Sequence, residues 1–362
     1  MESAARVCWM GVACLLLAAC PPIPPPQPPP PSPPPPLAQS CDHNSSGSDF
    51  VSAKVFLLSA SFNPKLYYAP GPSDIIRKVV STDPYWNDIS GAFTAANDSL
   101  KDKLCSLDGV FVVQSTCKDP ACIADDVIGH SWGFRQPTSP PKRYIAVSET
   151  LWQNGSAPIF SDFENMRLAA LLKRLNPNGA AWFNVPSSRP CFGPASPDTS
   201  AMTLLAVLAH EYGHVYWYDA FVSPPGGSFS AARFCGGRFY TANKWGSIGV
   251  PPTGRWIEFG QQLGNQLHNP NYIGTLANHL SHADFGQAGS ALRAIFLDQD
   301  LVSTLASFSP IEDFVESYEW FALLSANPPL TKFTIQIDNL PPINLLGQIA
   351  NKPGLRRKMA CF

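Results

Sequence analysis

The sequence predicts an α+β fold of two lobes, in which a central helix lies between a small lobe with a mixed sheet and a mainly helical lobe. Three observations support this prediction. Apolar, β-prone runs alternate with helical patterns in the first half of the chain. An apolar stretch at residues 202–219 then has His210, Glu211 and His214 as its only groups that titrate near or below neutral pH before Asp219. After Phe221 the composition shifts to loop residues, and helical patterns dominate from about Trp256.

Composition divides the chain into four segments. Residues 1–19 are predicted to be a signal peptide, and residues 20–40 a cysteine followed by a proline-rich stalk. Residues 41–221 form the predicted N-terminal lobe with the central helix, and residues 222–362 the mainly helical C-terminal lobe. Apolar residues make up 45% of the 362 residues and charged ones 14%, so the two lobes can bury a large core.

The leader ends in a pattern that resembles the bacterial lipobox. Thirteen apolar residues follow Arg6, too few to span a bilayer, and the sequence Leu-Ala-Ala-Cys at residues 17–20 closes the run. The resemblance implies a lipoprotein of the bacterial cell envelope, attached to the membrane through lipid on Cys20 and held about 50 Å away by its stalk. Pro21 after the cysteine favours the outer membrane. The alternative is an ordinary secretory leader, a secreted product and an incidental Cys20.

Strands and helices are predicted from the period of the apolar residues. The predicted strands, which are short and rich in β-branched or aromatic residues, cover residues 50–58, 110–113, 143–147, 182–185 and 333–337. The predicted helices, which carry apolar residues at helical spacing, cover residues 84–104, 162–175, 202–219, 309–321 and 343–349.

The cysteines outside the leader predict disulfide bonds. Seven remain once Cys20 is set aside: Cys41, Cys105, Cys117, Cys122, Cys191, Cys235 and Cys361. In an oxidising envelope most of them are expected to pair, and the odd number leaves at least one free or paired outside the chain. Cys41 and Cys361 are one candidate pair, because that bond would join the termini.

The central helix carries the motif His210-Glu211-Tyr212-Gly213-His214 in an otherwise apolar frame. Residues four apart are neighbours on one helical face, so His210 and His214 can direct neutral ring nitrogens at one zinc ion. Glu211 lies one step round the helix, where it can act on a water beside the ion. This HExxH pattern favours a zinc hydrolase with Glu211 as its base. The alternative is a core helix whose histidines hydrogen-bond to the backbone.

Two histidines need a third protein ligand to make a catalytic zinc site. Glu312 and Glu316 lie one turn apart in the helix predicted at residues 309–321, among apolar neighbours. Glu312 also completes a capping box with Ser309, which is the alternative to a metal role. The rival ligands are His279, His282 and, on a less suitable helical face, Asp219.

The HExxH helix and the Glu-Asp-Phe-x-Glu sequence at residues 312–316 together resemble the gluzincin group of zincin metallopeptidases. The second motif is especially similar to the lethal-factor branch of that group. The resemblance implies a two-lobed zincin-like fold and one Zn²⁺ ion held by His210, His214 and Glu312. It also implies that Glu316 hydrogen-bonds to His210 as an outer partner. The oxyanion-stabilising residue that the family uses remains open among Tyr272, His279, His282 and Tyr318.

The predicted function is therefore a zinc-dependent endopeptidase of the cell envelope, acting on protein or peptide substrates. The formal net charge is −2, and no Lys/Arg block precedes residues 356–358, so no nucleic-acid partner is predicted. The alternative is a catalytically inactive zincin-like lipoprotein that serves as a binding or scaffolding module.

Overall fold

The computed structural model shows an α+β fold with a five-stranded mixed sheet, a small three-stranded sheet and helices. The structure describes residues 41–59, 75–113, 130–132, 143–185, 189–217, 219, 273–298, 300–307 and 310–362. The predicted signal peptide, Cys20, the stalk, Tyr272 and Ser309 lie outside these ranges. None of the helices within them is long and apolar enough to cross a membrane.

The helices of the described ranges are numbered in chain order. They are α1 (Gly47–Lys54), α2 (Tyr85–Ala95), α3 (Asp98–Cys105), α4 (Phe160–Leu175), α5 (Pro177–Phe183), α6 (Ser200–Trp217), α7 (Ile273–Ser281), α8 (Phe285–Asp298), α9 (Pro310–Leu324), α10 (Leu345–Asn351) and α11 (Pro353–Met359). Helix α6 is the predicted central helix, and α9 carries the candidate third ligand.

The strands form two sheets. The larger sheet consists of β1 (Val55–Leu58), β2 (Ile75–Lys78), β3 (Gly109–Val113), β4 (His130–Trp132) and β5 (Tyr144–Ser148). Its order is β2-β1-β3-β5-β4, with β1, β3 and β5 parallel and the two edge strands antiparallel to their neighbours. The smaller, antiparallel sheet consists of β6 (Cys191–Phe192), β7 (Thr334–Gln336) and β8 (Ile343–Asn344). It pairs a strand from the predicted N-terminal lobe with two strands from the predicted C-terminal lobe.

The central strands β3 and β5 are buried on both faces, as is usual inside a parallel sheet. On one face, Val112 and Val147 belong to the main hydrophobic core together with the helices. On the other face, Phe111 and Tyr144 belong to a second, smaller cluster, and their ring centroids are 5.1 Å apart. This double burial explains why both strands have continuous apolar sequences rather than alternating ones.

Two of the predicted helices have different bounds in the structure. Residues 84–104 form two helices rather than one, because Asn97 is extended and its side chain accepts a hydrogen bond from the Leu100 amide, which starts α3. The helix predicted at residues 343–349 begins only at Leu345, because the two residues before it pair with β7 as a strand.

The strand predicted at residues 50–58 is a strand only from Val55 onward. The preceding residues belong to α1, because Ser46 and Asp49 form a reciprocal capping box at its start. The local cap therefore outweighs the β propensity of the apolar residues that follow it.

The prediction of a strand at residues 182–185 was wrong. Asn176 accepts a hydrogen bond from the Asn178 amide, and Pro177 occupies the first turn, so this segment begins a helix, α5. Trp182 is fully buried on that helix. Its burial comes from helix packing rather than from a sheet.

Helix α6 is held near both ends and packs against α2, α9, β4 and β5. At its start, Ser200 donates a hydrogen bond of 2.6 Å to the Asp88 carboxylate. Just beyond its end, Asp219 accepts a hydrogen bond of 2.6 Å from Nε of Arg143. Both contacts fix the histidine-bearing helix relative to neighbouring elements.

A glycine allows α9 to approach α6 closely. A Cβ atom at Gly213 would lie 3.2 Å from both Cα and Cγ1 of Val315. Few real Cβ atoms have neighbours that close, so a side chain here would require Val315 to shift by a few tenths of an ångström. Gly213, the fourth residue of the HExxH motif, thus helps to set the spacing between the two site-bearing helices.

The cysteine pairing differs from the candidate pair. Cys41 forms a disulfide with Cys105, with an S–S distance of 2.02 Å, so the proposed Cys41–Cys361 bond was wrong. Cys361 is also disulfide-bonded, and Cys191 is a free cysteine. The described Cys41–Cys105 bond ties the start of this part of the chain to the end of α3.

Candidate metal centre

The two histidines of the central helix lie one turn apart. The ring centroids of His210 and His214 are 5.1 Å apart, and the rings meet edge to face. The His210 side chain is 4% exposed and that of His214 is 24% exposed, so solvent reaches the pair from the His214 side. Apolar residues of α6 are buried around them.

Glu312, in the first turn of α9, brings a carboxylate to both rings. Its Oε2 is 3.9 Å from Nε2 of His210, and its Oε1 is 3.8 Å from Nε2 of His214. One donor atom from each of the three residues lies within 4.8 Å of the other two, so the set could hold a metal ion. The structure therefore brings Glu312 close to two histidines that precede it in the sequence by 98 and 102 positions.

The donor set fits zinc in type and nearly in spacing. Two imidazole nitrogens and one carboxylate oxygen are a usual catalytic zinc set, with the fourth position left open. Ligand atoms bound at about 2.0–2.1 Å in tetrahedral geometry lie about 3.4 Å apart. The separations of 3.8 and 3.9 Å exceed that by roughly half an ångström, which small side-chain rotations can close.

Burial disfavours the charged forms of His214 and Glu312. Burial, followed by the charge of His210, lowers the pKa of His214 to about 3, so this imidazole is neutral and can offer a lone pair. Burial raises the pKa of Glu312 to about 7, because the carboxylate loses its hydration. A divalent cation between them would stabilise the charged form of this carboxylate.

The other nitrogen of His210 faces two further carboxylates. Nδ1 lies 2.8 Å from Oε1 of Glu316 and 3.2 Å from Oε2 of Glu319. Burial alone would lower the pKa of His210, but the hydrogen bonds to these two residues outweigh it and raise that pKa well above its usual value. When His210 is neutral, its proton stays on Nδ1 and Nε2 presents the lone pair towards Glu312. Glu316 thus lies where the sequence predicted an outer partner of His210.

Glu211 follows His210 in α6 and is 2% exposed. Its backbone position is fixed by the helix, and its neighbours on either side are both buried. A carboxylate next to His210 in the sequence is a candidate to exchange a proton with water at the site. Nothing in the donor set requires Glu211 as a ligand.

Three residues of the site, Glu164, Arg167 and Glu319, were not predicted from the sequence. Arg167 Nη1 donates to Glu164 at 2.7 Å and to Glu319 at 3.1 Å, and its Nη2 donates to Glu316 at 2.5 Å. The sequence does contain a signal that Arg167 is buried. It lies four residues after Phe163 on the apolar stripe of its helix, and Glu164 lies one turn before it. A charged pair on the buried face of a helix needs polar partners from another helix or strand.

The rival ligands lie elsewhere among the described residues. His282 is exposed, and its Nδ1 is 2.9 Å from the carbonyl oxygen of Asn278. Neither His279 nor His282 belongs to any group of metal-ligating side chains in the described part of the chain. Asp219 is paired with Arg143, as described above.

The remaining oxyanion candidate with a described position is Tyr318. It is 1% exposed and packs edge to face against the rings of Tyr216 and Phe362, on a different side of α9 from the glutamates. Burial raises its pKa well above the usual value for tyrosine. Tyr318 is therefore enclosed by aromatic rings, and Tyr272 lies outside the described residues.

No family model matches this chain, and no match was found among curated proteins or solved structures. The functional argument therefore depends on the side chains just described.

Proposed function

We propose that this protein is a zinc-dependent endopeptidase in which His210, His214 and Glu312 hold one zinc ion. The observation that carries the proposal is the convergence of these three donors from two helices, with Glu316 and Glu319 behind His210. Within the described residues the group has three protein donors and no fourth. Structural zinc sites use four protein ligands, whereas catalytic ones keep a position open.

The chemistry follows from the roles that these residues can take. Zinc, when bound, polarises a carbonyl group and lowers the pKa of water to about 7. Glu211 accepts the proton of the attacking water on its carboxylate and delivers it to the nitrogen of the leaving amine. Glu316 and Glu319 keep the proton of neutral His210 on Nδ1, so the lone pair of Nε2 stays available to bind the metal ion.

The sheet beside the site supports an extended peptide as the substrate. Strand β4 lies at one edge of the sheet formed by the described strands, pairs antiparallel with β5, and packs against α6. An edge strand offers a row of backbone donors and acceptors to which an extended peptide can add. Such pairing would align a peptide bond beside the histidine-bearing helix without requiring one particular side chain.

The first experiment measures metal and cleavage together on residues 37–362. We expect one zinc ion per chain after purification without added metal. We also expect cleavage of unfolded protein and of peptides from envelope extracts, lost on chelation and restored by zinc. A chain that binds no zinc, or that binds it and cleaves nothing across a broad peptide library, would contradict the proposal.

A binding or scaffolding module is the second candidate, and one observation favours it. Glu211 is almost fully buried, whereas a base that acts on water needs solvent at its carboxylate. In a scaffold the zinc ion, if bound, would join α6 to α9 and stabilise the fold. Melting temperature that depends on zinc, together with a complete lack of cleavage, would select this candidate.

The location of the protein is also a proposal, because the residues concerned lie outside the described ranges. The Leu-Ala-Ala-Cys sequence at residues 17–20 leads us to place the protein in the cell envelope, with lipid on Cys20. Cys20→Ser should convert a membrane-associated protein into an unprocessed or released one. Fractionation, with mass spectrometry of the mature amino terminus, measures this. An unlipidated mature end that begins elsewhere in the wild type would contradict it.

A further inference from the structure

A buried charge cluster lies directly behind the candidate metal centre. It consists of one guanidinium and three carboxylates, from Arg167, Glu164, Glu316 and Glu319, and all four side chains are at most 8% exposed. The residues come in pairs one turn apart, two on α4 and two on α9, so the cluster joins these helices. Through His210 it also reaches α6.

The guanidinium contacts both carboxylates that hold the histidine. Its Nη2 donates to Oε1 of Glu316, the same oxygen that lies 2.8 Å from Nδ1 of His210. Its Nη1 donates to both oxygens of Glu319, at 3.1 and 3.3 Å. A single rigid group thus fixes two acceptors that converge on one imidazole nitrogen.

Without that cation the arrangement would be hard to maintain. Two buried carboxylates that approach the same nitrogen repel each other, and burial strengthens the repulsion because little water screens it. Glu316 and Glu319 would then move apart or rotate, and the imidazole between them would lose its fixed orientation. The ring of Phe163 also contacts the cation, with the guanidinium carbon 5.7 Å from the ring centroid.

We propose that Arg167 is a positioning residue for the metal centre, which fixes Glu316 and Glu319 so that both hold Nδ1 of His210 and direct its Nε2 at the ion. This inference rests on the proposed function, because it concerns the same three ligands. It adds a residue on a third helix that touches neither the metal nor the substrate. Outer partners of metal-binding histidines typically change metal affinity by about 10–100-fold.

The test measures zinc affinity by competition with a chromophoric chelator, using the full-length chain. Arg167→Met removes the charge but keeps much of the volume, and it should weaken zinc binding by about 10–100-fold. Arg167→Lys keeps the charge, but one ammonium group cannot reproduce the two-armed contact of the guanidinium. The zinc affinity of this variant should therefore lie between those of the wild type and Arg167→Met. Nitrogen NMR of the His210 ring should show a weakened Nδ1 hydrogen bond in both variants.

A matched control separates positioning from the general cost of losing a buried cation. Lys54, at the end of α1, is 5% exposed and donates to the carbonyl oxygen of Leu107 at 2.8 Å. Helix α1 packs on α2 and β1. Lys54→Met should therefore lower the melting temperature and leave the zinc affinity and the His210 resonances unchanged.

The outcomes distinguish this inference from the proposed function. If the wild type binds zinc and both Arg167 variants bind it equally tightly, the inference is wrong and the proposed function stands. If the wild type binds no zinc, the proposed function is wrong and the inference falls with it. If Arg167→Met does not fold, the Arg167→Lys protein decides alone, and wild-type affinity in that variant would overturn the inference.

Discussion

Replacing Glu211 with glutamine is expected to lower peptide-bond cleavage by a factor on the order of 10² or more, with zinc content and melting temperature near wild-type values. The size of the side chain is kept, so α6 should pack as before, while the carboxylate that we propose as the proton acceptor is lost. The measurement is the cleavage rate of the wild type and of Glu211→Gln on the same unfolded protein and peptide substrates, with chelator added as a control.

A second substitution tests whether the position of the carboxylate matters. Glu211→Asp keeps the acid but withdraws it by one methylene, so its cleavage rate should lie between those of the wild type and Glu211→Gln. Chelator-sensitive cleavage that survives undiminished in Glu211→Gln would show that another group takes the proton. An inactive wild type with bound zinc would instead favour the scaffold, in which Glu211→Gln changes nothing measurable.

The motif on α6 could be predicted from the sequence because its geometry is local. Residues four apart share a helical face whatever surrounds them, so His210 and His214 were placed together by spacing alone. The strands at residues 110–113 and 143–147 were predictable for a similar reason, since runs of buried β-branched residues mark the centre of a sheet. The order in which the strands pair depends on contacts between residues far apart in the sequence, so it could not be predicted from local patterns.

Glu312 was predictable only through a resemblance, because its partner helix is far away in sequence. Helical spacing shows that Glu312 and Glu316 share a face, but not which helix that face meets. Gly213 gave a further signal, since a glycine inside an apolar helix often marks close approach of another element. The structure shows that approach, with Val315 of α9 against Gly213.

Arg167 and Glu319 could not be assigned because their roles depend on three helices at once. A buried arginine next to a glutamate on one helix reveals a need for partners, but sequence alone does not identify them. The errors in secondary structure have a simpler cause. At Ser46, Asn97 and Asn176, side-chain caps decided where helices begin, and each cap outweighed the apolar pattern around it.

Replacing Glu312 with alanine should remove most of the bound zinc and leave a folded protein. The loss of affinity should exceed the ~10–100-fold typical of an outer partner, because Glu312 is one of only three protein donors in the described site. If Glu312 were only a capping residue, alanine would cost about 1 kcal/mol of stability and zinc would remain. Zinc content after dialysis against a zinc buffer measures the difference, and circular dichroism confirms the fold.

The neighbouring carboxylate on α9 provides the matched control for the loss of a buried acid. Asp313 is fully buried and pairs with Lys358 at 2.6 Å, so it faces away from the histidines towards α11. Asp313→Asn weakens that ion pair and should lower the melting temperature, yet zinc should remain bound. Full zinc occupancy in Glu312→Ala would reassign the third ligand to another carboxylate or to a residue outside the described ranges. Loss of zinc in Glu312→Ala alone would tie the ion to the first turn of α9, where the carboxylate meets both imidazoles.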